Sequence, residues 1–506
     1  MAKDNIGKKA RAGVLWSTLF QGVQYVLRFA NSIILARLLF PEDFGLMGLA
    51  MIVLQFARRL TSFGFTMVLV QRKEVQEEHY DTVFWVNLLL IGTASLGIVL
   101  FAENIAAFLE NLALTNILYA IAVIFLIEAL SSVHRSILKR KLQYKELGIV
   151  KAVSSFVLVV GSAVFAFLGF GVWALIFGNF FGAFAKFLVS FIFTRWWPGF
   201  RFRMWALKDS LDFGIWVYVA GYVIYAINNV DFFVIGKFLS AAQLGYYERA
   251  FNLMSMPRKR LVDHVNSVMF SAYSRIQDDD ERLVRALQRV IATLAVIIYP
   301  FVVWLFFVSP SFIRVVYGPK WIPTIAPLQI MCITGLIESF TLMFQPVLTA
   351  KGWIGNHTRR EVVYLVILSA MVVAGLQFGI VGVAWGVTAA AFFRLALMLN
   401  LAIRCLPFTI KDFIKAQRSA VVYSGIQIGV LLVFQWTSQA FLNEVGVVHL
   451  IGVTALSFFS FLGSHFVFRF KDVEEPVQDI IKDLRKFAVK LPILGKIVRK
   501  ANVSKD

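Results

Sequence analysis

The chain is poor in charge, poorer still in acid, and lacks the residue patterns that carry chemistry. Of its 506 residues only 16% are charged and 59% are hydrophobic. The mean hydropathy is +0.74. A soluble protein of this length has too little interior to hide so much apolar surface, which leaves a polytopic membrane protein. The two cysteines, Cys332 and Cys405, fall in or at the end of different apolar stretches and suggest neither a disulfide framework nor a metal site. The 6 histidines are scattered, and no Ser/His/Asp, Cys/His or HExxH arrangement and no Walker motif is present. No catalytic residue, metal or cofactor is therefore expected, and no built-in ATPase. The run Asp278-Asp279-Asp280-Glu281 resembles a sugar-nucleotide metal motif, but it stands just before the basic amphipathic stretch RLVRALQRV, where acids cap a helix.

Basic residues are more plentiful, 50 Lys and Arg against 30 Asp and Glu, for a net charge of +20. Their distribution argues against a nucleic-acid partner. A span needs ~20 mostly apolar residues to cross ~30 Å of hydrocarbon. On that criterion spans are predicted near 12–39, 43–70, 80–102, 114–135, 148–169, 172–194, 213–238, 244–273, 286–308, 323–349, 359–378, 381–404, 419–440 and 446–468. The apolar segment after the basic N-terminal stretch is too long for a signal peptide and lacks a small-residue cleavage site, so it is expected as a retained first span. The eighth is the least apolar, holding Glu248, Arg249, Arg258, Lys259, Arg260, Asp263 and His264. Charge parity nevertheless requires it. With fourteen spans, the basic clusters at 3–11, 72–73, 139–151, 195–208, 275–289, 351–360, 404–418 and 469–500 all fall on one side. The opposite loops are short and nearly free of Lys and Arg, with Arg314 and Lys320 the mild exception. This is the positive-inside pattern, and it places both termini in the cytoplasm.

The chain repeats itself. ILARLLFPEDFGL (34–46) and the text after it return, degraded, as FVIGKFLSAAQLGYYERAFNLM, with Arg37 on Lys237, Gly45 on Gly245 and Ala50 on Ala250. One residue of slip then brings Arg58-Arg59-Leu60 onto Lys259-Arg260-Leu261. GFGVWALIFG (169–178) likewise resembles GIVGVAWGVT (379–388). Spans one to six thus echo spans seven to twelve, and an even number of spans per half makes the repeat parallel. The expected organisation is an N-lobe at 1–195, a basic aromatic interfacial linker at 196–212, a C-lobe at 213–405, two appended spans at 406–470, and a tail at 471–506. The tail has the spacing of an amphipathic surface helix or is simply solvated.

An ionisable side chain at mid-bilayer costs ~2.5–3.5 kcal/mol on insertion scales, so such residues face a polar interior. Arg28, Arg58, Arg59, Lys259 and Arg260 all fall near the middle of spans one, two and eight. Lys186 and Arg394, in spans six and twelve, read as structural. The acids at depth are few: Glu128, Asp231, Glu338 and Asp263. Cations this numerous predict a water-filled cavity with a cationic wall, suited to a phosphate or pyrophosphate. An interlobe ion pair or a cytoplasmic gate is the alternative. Arg37 and Arg249 lie close enough to the outer ends to snorkel. Asp231 follows Asn228-Asn229, and that polar cluster suits a bound cation or a pairing with Lys237. Asn228, Asp231, Glu128 and Glu338 are the candidates for ion coupling or gating.

ILARLLFPEDFGL (34–46), GFTMVLVQRK (64–73) with VFWVNLLL (83–90), and LGYYERAFNLMSMP (244–257) followed by SRIQDD (274–279) resemble bacterial polysaccharide exporters of the MOP superfamily. The branch is that of Wzx-like flippases related to colanic-acid and teichuronic-acid exporters. The likeness runs from about residue 10 to 470. It implies an all-α protein of fourteen transmembrane helices, with two parallel six-helix lobes around a central cavity lined by spans one, two, seven and eight. It also implies alternating access in the inner membrane, membrane lipid around the chain, and a lipid-linked oligosaccharide on undecaprenyl pyrophosphate as cargo. A polysaccharide polymerase and export machinery would be the partners. Three other readings stay open: a MATE-like exporter of another amphiphile, a membrane glycan polymerase or ligase, and a scramblase or scaffold. A drug-cation cavity should be rich in acids, and a polymerase or ligase needs a substantial external loop. Neither is present in the sequence.

Overall fold

The computed structural model describes residues 2–61, 65–72, 75–203, 215–257, 262–441 and 446–467. Arg258, Lys259, Arg260, most of the linker after residue 203 and the tail at 471–506 lie outside the described residues. Among the described residues there is no strand. In chain order the helices are α1 (Ala2–Leu38), α2 (Pro41–Leu60), α3 (Phe65–Gln71), α4 (Glu77–Phe108), α5 (Leu114–Arg140), α6 (Tyr144–Phe167), α7 (Val172–Thr194), α8 (Ile215–Phe238), α9 (Ala241–Pro257) and α10 (Asp263–Ser274). They continue as α11 (Asp280–Phe312), α12 (Ile325–Thr341), α13 (Phe344–Ala350), α14 (Ile354–Gly375), α15 (Gly379–Cys405), α16 (Ile410–Phe441) and α17 (Val447–Val467). Among the described residues, 9 helical stretches are long and apolar enough to cross a membrane, one of them, Ile354–Cys405, covering two expected spans. The nine do not include α1, α2, α8 and α9, the helices of the charged repeat.

The duplication read in the sequence has a physical counterpart. α1 ends at Leu38 and α8 at Phe238; α2 begins at Pro41 and α9 at Ala241. Pro41 has no N–H to lose at the first helical position, and the Asp43 carboxylate accepts the Phe40 N–H at 2.8 Å. At the second copy Ser240 Oγ does similar work, accepting the Gln243 N–H at 3.2 Å. The two helix starts then cross backbone on backbone. A Cβ on Gly45 would collide with the Ala241 carbonyl, and one on Gly245 with the Pro41 carbonyl. Residue i of one copy meets residue j of the other and the reverse holds, which is the signature of a two-fold contact built inside one chain. Only glycine lets the axes come this close.

Chain contacts divide the molecule into two compact units. The first is Met1–Arg249 with Val316–Thr324 and Ser369–Val383. Within it, α6 and α7 lie side by side, with Ser154 Oγ donating to the Gly182 carbonyl at 2.8 Å. α1 joins them through Ser162 Oγ and Asn31 Oδ1, 3.0 Å apart. Small hydroxyl residues let apolar helices approach closely while supplying a polar tie. The described start of the expected linker docks on α4: Trp85 Nε1 donates to the Gly199 carbonyl at 2.8 Å, and the Gly199 N–H donates to Asp81 at 3.0 Å. The 316–324 segment is fastened to the end of α1, where Trp321 Nε1 donates to the Ala36 carbonyl and Arg37 Nε to the Val316 carbonyl.

The second unit comprises Ala250–Val315, Ile325–Leu368 and the chain from Ala384. Its core gathers Leu283, Leu287, Ile291 and Ile298 of α11 with Phe344 and Val347 of α13, Leu401 of α15 and Tyr423 of α16, all but sealed from solvent. The acidic run at 278–281 is a helix cap. Asp279 accepts the Arg282 N–H at 2.9 Å, Asp280 and Glu281 occupy the first turn of α11, and Lys351 pairs with Asp280 at 2.9 Å.

Candidate functional site: a cationic cavity in the first unit

Where the helices of the first unit draw apart they leave a cavity of about 740 Å³. Its wall holds six cations, Arg28, Arg58, Arg135, Lys151, Lys186 and Arg249, and one carboxylate, Glu128. Gln24, Asn31, Ser32, Ser154, Ser155, Ser162 and Asn179 supply most of the remaining polar lining. A smaller hollow of about 420 Å³ shares Arg58, Glu128, Arg135 and Lys186 with it, so these four side chains stand where the two spaces meet.

Helical spacing explains the grouping. Glu128 and Arg135 are seven residues apart on α5, two turns along one face. Arg58 projects from the last turn of α2 and Lys186 from the middle of α7, and both reach Glu128. Arg58 Nη2 lies 2.5 Å from Glu128 Oε2, and Lys186 Nζ lies 3.4 Å from Oε1. One carboxylate thus answers two cations, with Arg135 tied to its own helix through the Ser131 carbonyl at 3.3 Å. At the other end of the lining, Arg249 donates to Ser32 Oγ at 3.1 Å and lays its guanidinium 3.9 Å over the Phe44 ring. Ser32 in turn bonds the Tyr317 hydroxyl at 3.0 Å. Two buried donors in this wall, Arg249 Nε and Gln24 Nε2, have no acceptor. A buried donor without an acceptor costs roughly 1–3 kcal/mol. A cavity with excess positive charge and spare N–H groups fits an anionic, oxygen-rich ligand better than any other class.

The sequence-predicted residues divide as follows. Arg28, Arg58 and Glu128 line the cavity together. Arg59 does not; it is exposed, and its guanidinium lies about 3.1 Å from where a Cβ on Gly221 of α8 would stand. Lys259 and Arg260 lie outside the described residues. Asp231 accepts the Tyr247 hydroxyl at 2.7 Å, while Lys237, considered as its partner, pairs instead with Glu110 at 2.6 Å. Asn228 is exposed and donates to the Ile224 carbonyl of its own helix at 2.8 Å. Glu338 belongs to the second unit, 3.7 Å from Arg394.

Sequence reasoning missed Arg135, the last residue of the expected span 114–135, and Lys151, the last of the basic cluster at 139–151, as lining residues. The seven-residue step from Glu128 was the available signal for Arg135. Arg249, read as able to snorkel, and Lys186, read as structural, both line the cavity.

A helical bundle that keeps a polar, positively lined hollow among apolar helices defines a polytopic membrane protein, and its fold is shared with known membrane transporters. It resembles the lipid II flippase MurJ in an inward closed conformation, with a TM-score of 0.70 and 16% identity over 90% of this chain and 98% of that one. It also resembles an inward-facing multidrug resistance MATE family transporter, with a TM-score of 0.59 and 16% identity over 76% of this chain and 95% of that one. By sequence the chain belongs to the polysaccharide biosynthesis protein family, whose model matches residues 34–326. It is 25% identical to the lipopolysaccharide biosynthesis protein WzxC of Escherichia coli K12 over 76% of this chain and 78% of that protein. It is 27% identical to the succinoglycan biosynthesis transport protein ExoT of Rhizobium meliloti, over 62% and 64% respectively. To the teichuronic acid biosynthesis protein TuaB of Bacillus subtilis it is 23% identical, over 69% and 72%.

Proposed function

We propose that the protein is a flippase that moves an oligosaccharide, linked to undecaprenyl pyrophosphate, from the cytoplasmic to the periplasmic leaflet of a bacterial inner membrane. The observation that carries this reading is the cavity wall with six cations, one carboxylate and two unanswered buried donors. The names of its relatives, which make or transport surface polysaccharide, and the MurJ-like fold support it. The cargo would place its pyrophosphate among Arg28, Arg58, Lys186 and Arg249, with Arg59, Lys259 and Arg260 meeting it during entry or release. The sugars would occupy the hydroxyl- and amide-lined part of the wall, and the polyprenyl chain would remain in lipid.

Glu128 has a definite role in this scheme. It already holds Arg58 and Lys186, so a pyrophosphate must compete with it for both. The resting ion pairs offset part of the mutual repulsion of the cations, and the cargo replaces one acceptor by a stronger one. Cargo binding therefore changes the contacts between α2, α5 and α7, which is the differential stabilisation that any ligand-driven conformational shift requires. The full topology would be fourteen spans with both ends in the cytoplasm, cycling by alternating access. The chemistry is transport rather than catalysis, handing the cargo to a polymerase and the export machinery outside.

The drug-exporting MATE transporters share the fold, but a wall with this excess of cations repels an organic cation. The test is complementation in cells lacking their own flippase. The unaltered chain should restore surface polysaccharide, and Arg58→Ala should leave lipid-linked intermediate stranded on the cytoplasmic leaflet with the protein still inserted. Normal export by Arg58→Ala together with Arg249→Ala would overturn the assignment of this cavity.

A further inference from the structure

The cations around the main cavity fall into two sets. Arg58 and Lys186 already share Glu128. Arg135, Lys151 and Arg28 line the same wall, and among the described residues none of them pairs with a carboxylate. Arg135 gives only Nε, to the Ser131 carbonyl at 3.3 Å, which leaves both terminal nitrogens of its fork without a protein acceptor. Glu128 attracts it through space while Arg58 repels it. Lys151 is less well placed still. The charges that act on it, Lys139, Arg135 and Arg28, are all positive.

Chain geometry brings this second set to one level. Arg135 stands five residues before the end of α5 at Arg140, and Lys151 seven after the start of α6 at Tyr144. At 1.5 Å per residue both lie about 7–11 Å from the turn that joins the two helices. Glu128 is about 10 Å deeper along α5. The turn belongs to the basic stretch that loop charge assigns to the cytoplasm. α1 packs along α6 and brings Arg28 within electrostatic reach of Lys151. A ligand arriving from that end therefore meets Arg135 and Lys151 before it meets Glu128. Like charges that repel across an open space are answered only by something that enters it. The fork of Arg135 can hold two oxygens of one phosphate side by side, and Lys151 adds a compact charge for a second phosphate.

We propose that Arg135 and Lys151, with Arg28, form a receiving site for a diphosphate group at the cytoplasmic end of the cavity, distinct from the ion pairs around Glu128. This deepens the flippase reading and rests on it for the direction of entry. An anion that binds here breaks no existing pair, whereas one at Arg58 and Lys186 must displace Glu128. The two sites therefore act in order. The receiving site sets how fast the diphosphate is captured, and the Glu128 site sets how firmly it is held. Passage from one to the other exchanges cation for cation along a single wall, so the diphosphate keeps a counter-charge throughout.

The test is the binding kinetics of farnesyl pyrophosphate and of inorganic pyrophosphate on the full-length protein in nanodiscs, followed by surface plasmon resonance. Arg135→Gln and Lys151→Gln should each slow capture of farnesyl pyrophosphate by about tenfold and leave its release nearly unchanged, while Arg58→Ala speeds release. Lys151→Arg keeps the charge and should capture at the unaltered rate, which a purely structural role for Lys151 does not require. Should Arg135→Gln fail to insert, the two Lys151 variants decide. Slowing of both probes supports a site for the shared diphosphate, and slowing of farnesyl pyrophosphate alone supports it for the lipid-linked form. Slowing of inorganic pyrophosphate alone would make it a site for free anions and overturn the receiving role. Unchanged capture of both probes in the Gln variants would overturn the site itself. Because the readout is capture rather than export, a chain that captures the probe through Lys151 but exports nothing would defeat the flippase reading and leave this site standing.

Discussion

The two units solve the problem of charge inside a membrane protein in opposite ways. The first has many cations and one acid, and it leaves them around an open hollow of about 740 Å³, where water or a ligand completes them. The second closes one cation, Arg394, with two acids, Glu361 and Glu338, to within a few per cent of full burial. An excess of like charge is tolerable where something can enter to answer it. A nearly balanced set is tolerable without entry. The difference separates an open, positively charged hollow from a closed ion cluster.

The sharpest way to break this contrast is to unbalance the closed cluster. Arg394→Leu takes from Glu361 the guanidinium that holds it, and breaking a buried pair by removing one partner costs about 3–5 kcal/mol. The variant should insert poorly or unfold at markedly lower temperature in detergent. Adding Glu361→Leu should recover most of the loss, since it removes the carboxylate that lost its partner. A double variant no more stable than the single one would mean that the ion pair is not what holds α14 against α15.

The open cavity should respond differently, in function before stability. Arg58 and Glu128 are 39% and 23% exposed, so their pair contributes little to folding. A charge-assisted hydrogen bond to a ligand is stronger, about 1.5–3 kcal/mol, so Arg58→Ala should weaken cargo binding by about tenfold or more. Glu128→Gln should act in the other direction, freeing Arg58 and Lys186 for the anion. Binding of a pyrophosphate-bearing lipid to purified protein would tighten while release slows, so export need not rise. Equal weakening by both variants would show that Glu128 positions Arg58 rather than competing for it.

Much of this was legible in the sequence, for a physical reason: hydropathy, loop charge and repetition are properties of the chain itself. The start of α2 at Pro41 follows from such local rules, as does the cap at Asp279 before α11. The cationic character of the interior followed from counting Arg28 and Arg58 at span depth. What stayed hidden depends on helix packing. Gly45 and Gly245 were visible as repeated letters, but their reason, two backbones crossing at carbonyl distance, is tertiary. Lys151 could not be told from a loop charge by position alone, and Arg135 stands at the very end of its expected span. Glu361 lies at the edge of a predicted span, where depth does not mark it, although His357, Glu361 and Tyr364 fall on one helical face. Arg394, read as structural, pairs with Glu361, a residue the depth argument left out.

Arg59 supplies the smallest expected effect and the finest discrimination. It follows Arg58 directly, and consecutive residues on a helix point about 100° apart, so the two cannot serve the same wall. Arg58 faces Glu128 across the cavity, whereas Arg59 is exposed and lies near Gly221 of α8. An exposed charge interacts weakly, typically by about 0–1 kcal/mol, and salt screens it. Arg59→Gln should therefore leave folding intact and reduce cargo affinity by less than about fivefold, with a loss that shrinks as salt rises. Arg58→Ala should keep its larger loss in the same titration, because its partner sits in a less exposed wall. If Arg59→Gln proved the more damaging of the two at high salt, the anion's path would run along α8, and the cavity in the first unit would be a station beside it.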